Sequence, residues 1–467
     1  MRSLVAALLL VFAVSAGAQD RYLVDWDAVG EETLTHLSDL VRINTTNPPG
    51  QETLVVDYLR TILEAEGVST ETYALDPERA NLVARIKGNG SKKPILIMGH
   101  TDVVGVQADK WTEEPFSGLR KDGWVYGRGT LDDKDTVAAG MMVMLMLKRY
   151  GVELDRDVIF LAEAGEEGTP DVGTNFMVEK HWDAIAAEYC LAEGGGGILE
   201  SQGVKVVEVQ TTEKMPRRAT LVARGTAGHG SRPSTDNAVA AIARAVAKAD
   251  AWQTEMRLNE TTRTYFERLA TISEPDDAFR YRNIDNPEVT DDIQQYFLEN
   301  LPYYYSSIRT SVVPTIIDAG FRKNVIPSEA RAVLDIRMLP NEDVDGFYAE
   351  LAEVIDEPNV EIVPEDIYRP AAPPSGLDNE MFEALERVAA DMYPDAIVLP
   401  KMSTGATDMA QVRAMGVPAY GIGPIRTQAE LNSGNGAHSD NERVSEEAMI
   451  EFLRFMWAVI IDVAASR

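Results

Sequence analysis

Four successive segments in the first half of the chain end on groups that bind metals or move protons, and this ordering limits the fold more than any other feature. The apolar run 94–98 (PILIM) leads into His100. The Gly-rich stretch 123–135 (GWVYGRGTLDDKD) carries Asp132, Asp133 and Asp135. The run 157–162 (DVIFLA) leads into Glu166 and Glu167, and 188–192 leads into Glu193. Short apolar runs bounded by turn residues read as buried strands, and open α/β sheets gather their sites at the carboxyl ends of strands. The pattern predicts an α/β catalytic domain, with a mixed, largely parallel sheet flanked by helices.

At 467 residues the chain exceeds what one core normally organises. Its character shifts near residue 213, where a strand leads to "GTAGHGSRP" and an Ala-rich helix, then a polar stretch at 253–310 with little periodicity. We read 19–212 and 371–467 as two parts of the catalytic domain and 213–370 as an inserted α+β lid. Residues 1–18 read as an export signal: Arg2, an apolar stretch 4–14, then Ala16-Gly17-Ala18 before Gln19. A periplasmic or secreted protein is the expectation. No other segment approaches the roughly 20 apolar residues that a membrane helix needs. The net charge of −31 argues against nucleic acid or an anionic membrane as partner. Cys190 has no second cysteine to pair with and reads as a buried strand residue. Met141, Met142, Met144 and Met146 read as helix core.

The chemistry lies in what these segments bring together. His100, Glu167, Glu193 and His438, with one aspartate of 132–135 as a bridge, form a donor set suited to two zinc-like ions. Each piece alone is weak, since an acidic helix start favours the dipole without any metal. Asp102, two residues beyond His100, can hydrogen-bond the second imidazole nitrogen and fix its tautomer. Glu166 is left free as a base: it would take a proton from water and pass it to a leaving amine. His229, in "TAGHGS", is the candidate donor to a tetrahedral oxyanion. His36 and His181, on or beside helices, read as structural.

The ordered motifs "MGHTDVV", "VYGRGTLDDKD", "EEG", "AEGG", "TAGHGS", "NVIPSEA", "DIRMLP", "TGATD" and "H-x2-NE" resemble the M20 metallopeptidases. Within them the chain looks most like the carboxypeptidase S and N-acyl-amino-acid hydrolase branch. The resemblance implies His100, Asp132 and Glu193 on one ion, and Asp132, Glu167 and His438 on the other. It implies Glu166 as general base, Asp102 as the residue orienting His100, and a cis peptide between Asp132 and Asp133. His229 and Asn324 match oxyanion and substrate contacts, Arg337 a carboxylate-binding residue, and Gly405 a backbone approach to substrate. Two divalent ions are implied, zinc foremost, with cobalt or manganese as alternatives, and a homodimer through the lid. Two positions depart from the common pattern: Asp135 stands where many members have Gly, and Gly165 where many have Asp. The expected activity is hydrolysis of a dipeptide or N-acyl amino acid with a free C-terminal carboxylate. A deacetylase or esterase for substrates without a carboxylate is the alternative. A non-catalytic metal- or peptide-binding protein would lack the base or a ligand, and here Glu166 and every ligand are present.

Overall fold

In the computed structural model, which describes residues 22–200, 203–365 and 369–466, the apolar runs form strands of one large mixed sheet. The export signal lies outside the described residues. The strand order is Ser69–Tyr73, Asn81–Ile86, Val158–Glu163, Ile95–His100, Tyr189–Ala192, Ala419–Gly421, Gly203–Glu213, Gly196–Glu200 and Ile425–Thr427. Ile397–Ser403 also pairs with Gly203–Glu213. Ile95–His100 and Val158–Glu163 are buried along their whole length. That is why these strands read as continuous apolar runs rather than alternating ones. Val158–Glu163, Ile95–His100, Tyr189–Ala192 and Ala419–Gly421 run parallel to one another. Parallel neighbours end at the same edge, so His100, the 164–168 turn and Glu193 emerge side by side.

Helices cover both faces. On one side Lys134–Arg149 packs with Trp26–Arg42, Glu380–Met392 and Glu446–Ala464 in a single large core. The four methionines of Lys134–Arg149 are fully buried there. On the other side Met177, Ile185, Met409 and Val412 pack against Leu96, Leu161 and the buried Cys190. His36 hydrogen-bonds Tyr58, and the His181 ring packs tilted against Tyr73 and edge-on to Phe176, so both serve packing. Among the described residues no helix is long and apolar enough to cross a membrane.

The chain leaves the large sheet after Glu213 and runs directly into a second, antiparallel sheet ordered Ser311–Ala319, Glu329–Met338, Met215–Arg224, Val360–Pro364. Ala238–Ala251, capped by the Asn237 side chain, and Val344–Ile355, capped by Asp343, bury Ile242, Ala245, Phe347 and Leu351 against Leu221 and Leu334.

The stretch 253–310 departs from expectation. Instead of an aperiodic part of the lid, it forms Glu260–Leu269, Pro275–Arg282, Thr290–Asn300 and Pro302–Ser307. Their aromatic cluster of Tyr265, Phe266, Tyr281, Phe297 and Tyr304 seats on Val206 and Leu399 of the large sheet. Each helix is three turns or shorter and contributes only one or two anchors. No long 3.6-residue stripe therefore exists to be read.

Candidate active site

His100 closes its strand with its ring buried, and its Nδ1 lies 3.0 Å from the Asp102 carbonyl oxygen. A proton on Nδ1 donates there, which leaves the Nε2 lone pair outward as a ligand. Nε2 faces Asp132 Oδ1 at 2.9 Å. The other Asp132 oxygen, Oδ2, lies 3.0 Å from His438 Nε2, and that same nitrogen is 2.8 Å from Glu167 Oε1. One carboxylate thus presents an oxygen to each of two imidazoles, the arrangement of a bridging ligand. The peptide between Asp132 and Asp133 is cis, and His438 sits at a positive φ of 62° in its loop.

Of the two neighbouring aspartates, Asp133 is turned inward: its Oδ2 accepts the His100 backbone N–H at 3.2 Å. Its donor atoms also come within 4.8 Å of those of His100 and Glu193. We favour Asp132 as the bridge because its two oxygens meet both histidines. Asp135 begins the helix as expected of an acidic first turn, yet it is buried, and its Oδ1 has no hydrogen-bond partner among the described residues.

Asp102 does more than orient an imidazole. Its Oδ1 accepts the Glu166 N–H at 3.1 Å, and its Oδ2 accepts the Glu167 N–H at 3.1 Å and Asn47 Nδ2 at 2.8 Å. It therefore holds the turn that carries both glutamates, with Oδ1 3.5 Å from the His100 ring. Two further residues escaped the sequence reading. Glu442, fully buried, accepts the N–H groups of Gly129 and Leu131 and pairs with Arg128, fixing the loop that presents Asp132. Arg369, on the chain returning from the second sheet, donates to a Glu166 carboxylate oxygen and to Asp408 Oδ1 at 2.8 Å. Both are single charges in irregular segments, which look solvated until burial is known; the only signal for Glu442 was its place in "H-x2-NE".

The electrostatics call for cations. Burial, with the nearby charges of Asp133 and Asp132, raises Glu193 well above the ordinary carboxylate range. Burial pushes Glu166 up to about 8 despite Arg369, and Asp133 up to about 7. Asp132 is lowered: burial opposes its charge, but the hydrogen bonds of His100 and His438 outweigh that. His438, bonded to Asp132 and Glu167, rises to about 10. Burial disfavours charge on His100, yet Asp102, Asp132 and Glu193 raise it overall. Five carboxylates facing two imidazoles and one guanidinium make a pocket that ionises fully only when positive charge is added. Donor atoms of His100, Glu166 and Glu167, and of Asp132, Glu167 and His438, also fall within 4.8 Å of one another. Mixed imidazole and carboxylate donors, with one bridging aspartate, fit a pair of divalent ions.

The pocket opens into a cavity of about 690 Å³. Glu166, Glu167, Glu193 and His438 line one side, and Gly405, Arg337 and other arginines line the rest. Arg337 is held by Asp335 at 2.7 and 3.2 Å. His229 and Asn324 are not among its walls. They sit together and exposed on the two-stranded ribbon Gly228–His229 with Val325–Ile326, where the His229 ring bonds Ser231 Oγ at 2.7 Å.

A profile described as peptidase family M20/M25/M40 matches residues 96–462. The chain is 30% identical to a probable carboxypeptidase S-like protein of Dictyostelium discoideum over 337 residues, covering 70% of this chain and 64% of that protein. It is 27% identical to a Homo sapiens N-fatty-acyl-amino acid synthase/hydrolase over 383 residues, 79% of this chain and 74% of that one. The fold matches a crystal structure of an M20 family metallo-carboxypeptidase from Sulfolobus solfataricus, with a TM-score of 0.70 at 19% identity, covering 92% of this chain and 98% of that one.

Proposed function

The chain belongs to peptidase family M20/M25/M40 and is a metallo-amidohydrolase, and from that premise we propose that it cleaves the amide of a dipeptide or N-acyl amino acid with a free C-terminal carboxylate, using two zinc ions. The observation that carries the reading is the Asp132 carboxylate facing His100 and His438 at once, with Glu166 lining the same cavity. His100, Asp132 and Glu193 would hold one ion, and Asp132, Glu167 and His438 the other. When bound, the ions supply Lewis acidity toward the amide carbonyl and toward water. Glu166 accepts the proton of the attacking water and returns it to the leaving amine nitrogen. Arg369 and the Asp102-held turn keep that carboxylate aimed at the pocket. Arg337, with one edge taken by Asp335, offers its remaining N–H groups to the substrate carboxylate. The Gly405 backbone lines the substrate's path.

Two finer features belong to this proposal. The first is export, with cleavage before Gln19; the mass of the mature chain tests it. The second is a homodimer through the edge strand Ser311–Ala319, where Ile316 and Ile317 are 59% and 56% exposed, with Phe321, 81% exposed, just past its end. A long exposed apolar edge invites strand pairing with a second copy. Such pairing gives the outlying His229 and Asn324 a neighbouring cavity to serve. Sedimentation should give a dimer that Ile316→Lys dissociates; a wild-type monomer at micromolar concentration rejects it.

The activity is tested by amine release from a panel of dipeptides and N-acyl amino acids, each paired with its C-terminal amide. Chelator-sensitive cleavage restricted to the free carboxylates, with the restriction weakened in Arg337→Ala, is the expected result. Equal cleavage of the amidated partners would favour the deacetylase or esterase alternative.

A further inference from the structure

We propose that a second cavity, walled by the stems of the Asp132 and His438 loops, binds a small free amine with a hydrocarbon body, and that its occupancy tightens metal binding. The cavity encloses about 780 Å³ and shares no lining residue with the catalytic one. Its size lies within the roughly 300–1,000 Å³ of small-molecule sites. The inference does not depend on which amide the protein cleaves.

The first support is where its walls lead. Trp124 lies on the strand Trp124–Tyr126, from which the chain runs through 127–131 into Asp132. Arg443 and Ser445 lie on Arg443–Ser445, antiparallel to that strand, with Arg443 opposite Tyr126 and Ser445 opposite Trp124. Thr427 caps the short helix Gln428–Leu431, to which Glu430 belongs. The loop 432–442, between that helix and Arg443, carries His438. Asp132 and His438 thus hang from stems that line one cavity. An ion held between them leaves when those loops part. A ligand that packs against both stems binds the closed arrangement and stabilises it by mass action.

The lining sets the ligand's chemistry. Trp124, Leu199, Val204, Met392, Tyr393 and Ile425 supply apolar wall. Asp395, Glu430, Glu447 and Glu451 set four carboxylates against one cation, Arg443. Among the described residues only Glu451 of these four has a cation within ion-pair distance, Arg454 at 3.5 Å; it also accepts the Tyr393 hydroxyl at 2.9 Å. Glu430 accepts the Thr427 N–H and hydroxyl through Oε2, at 2.7 and 2.6 Å, while its buried Oε1 has no partner among the described residues. Arg443 asks for no anion from a ligand. Its guanidinium lies 4.6 Å over the Trp124 ring and 5.5 Å from that of Tyr126, where the ring faces stabilise it. Unpaired negative charge therefore remains beside apolar wall, and a cleft of one sign of charge concentrates the opposite sign. An ammonium on a hydrocarbon body matches both features.

The test compares phenethylamine with phenethyl alcohol, which share a ring and chain and differ in charge. Calorimetry on the zinc-loaded protein should show the amine bound about tenfold more tightly, the gain of one charge-assisted contact. Asp395 and Glu447 are exposed, so Asp395→Asn and Glu447→Gln leave the fold intact. Each should weaken amine binding about two- to fivefold and leave alcohol binding unchanged. Saturating phenethylamine should raise zinc affinity, measured by competition with a chelating indicator, at least about fivefold. Alcohol bound as tightly as the amine, or amine binding indifferent to both substitutions, overturns the site. Zinc affinity unchanged at saturation overturns the coupling. The binding arm needs no turnover, so it stands apart from the amide-hydrolase reading.

Discussion

Replacing Arg369 probes how the base is held. Its guanidinium spans Glu166 and Asp408, touching the Glu166 carboxylate, the Glu166 carbonyl at 3.2 Å and Asp408 Oδ1 at 2.8 Å. Arg369→Met removes all three donors at a site 11% exposed and leaves two buried carboxylates without their cation. Losing one partner of a buried pair costs about 3–5 kcal/mol, and we expect the low end because the cavity admits water to Glu166. General-base catalysis contributes about 10²- to 10⁴-fold, which bounds the effect of releasing the base. A kcat loss of about 100-fold, equivalent to about 2.7 kcal/mol, is expected for Arg369→Met. Arg369→Lys keeps the charge but cannot form a fork across two carboxylates, so a loss of about tenfold is expected there, by comparison with the bound just given. The assay is kcat on a cleaved N-acyl amino acid, with metal content and urea unfolding measured on the same samples. Wild-type kcat in Arg369→Met, with metal retained, would refute the positioning role. A kcat loss explained wholly by metal loss would refute it too.

Lys214 is fully buried at the crossing between the sheets, and among the described residues its Nζ donates only to the Ser306 and Ser311 hydroxyls, at 3.0 and 3.1 Å. Burial, aided by Arg337 and Arg309, brings its pKa down to about 7. The unfolded chain keeps that proton to about pH 10.4, so stability rises with pH between these values. Lys214→Met should be more stable than wild type by about 1–3 kcal/mol at pH 7, and urea titrations at increasing pH should show the gap closing; a pH-independent gap would contradict this. Gly421 adjoins the strand that presents Glu193, and a Cβ there would lie 2.1 Å from the Glu193 carbonyl oxygen and 2.9 Å from Gln210 Cβ. Gly421→Ala should cost about 1–3 kcal/mol of stability and lower metal retention on dialysis, whereas full metal content would show that Glu193 tolerates the shift.

The catalytic sheet was legible because burial on both faces writes itself as uninterrupted apolar runs, as in Ile95–His100 and Val158–Glu163. Each run ends at the same edge, so strand ends sufficed to gather His100, Glu166, Glu167 and Glu193. The bridge was less legible: three aspartates share 132–135, and only geometry shows Asp132 meeting two histidines while Asp133 turns to the His100 amide. Arg369 left no local pattern, because its role comes from burial in an irregular segment, and Glu442 showed only through its place in "H-x2-NE". The helices of 253–310 were hidden for a different reason. Their aromatics cooperate across four short elements, and no single one carries a readable stripe.

The decisive measurement is metal content alongside turnover in Glu166→Gln. The proposed ligands His100, Asp132, Glu167, Glu193 and His438 are untouched, so the variant should retain close to two divalent ions per chain, the number expected of the wild type. Its kcat should fall by about 10²- to 10⁴-fold, the share a general base contributes. Two ions bound with wild-type turnover would remove Glu166 from the proton transfer. A wild-type chain that binds a single ion would contradict the bridging role of Asp132, on which the whole site is built.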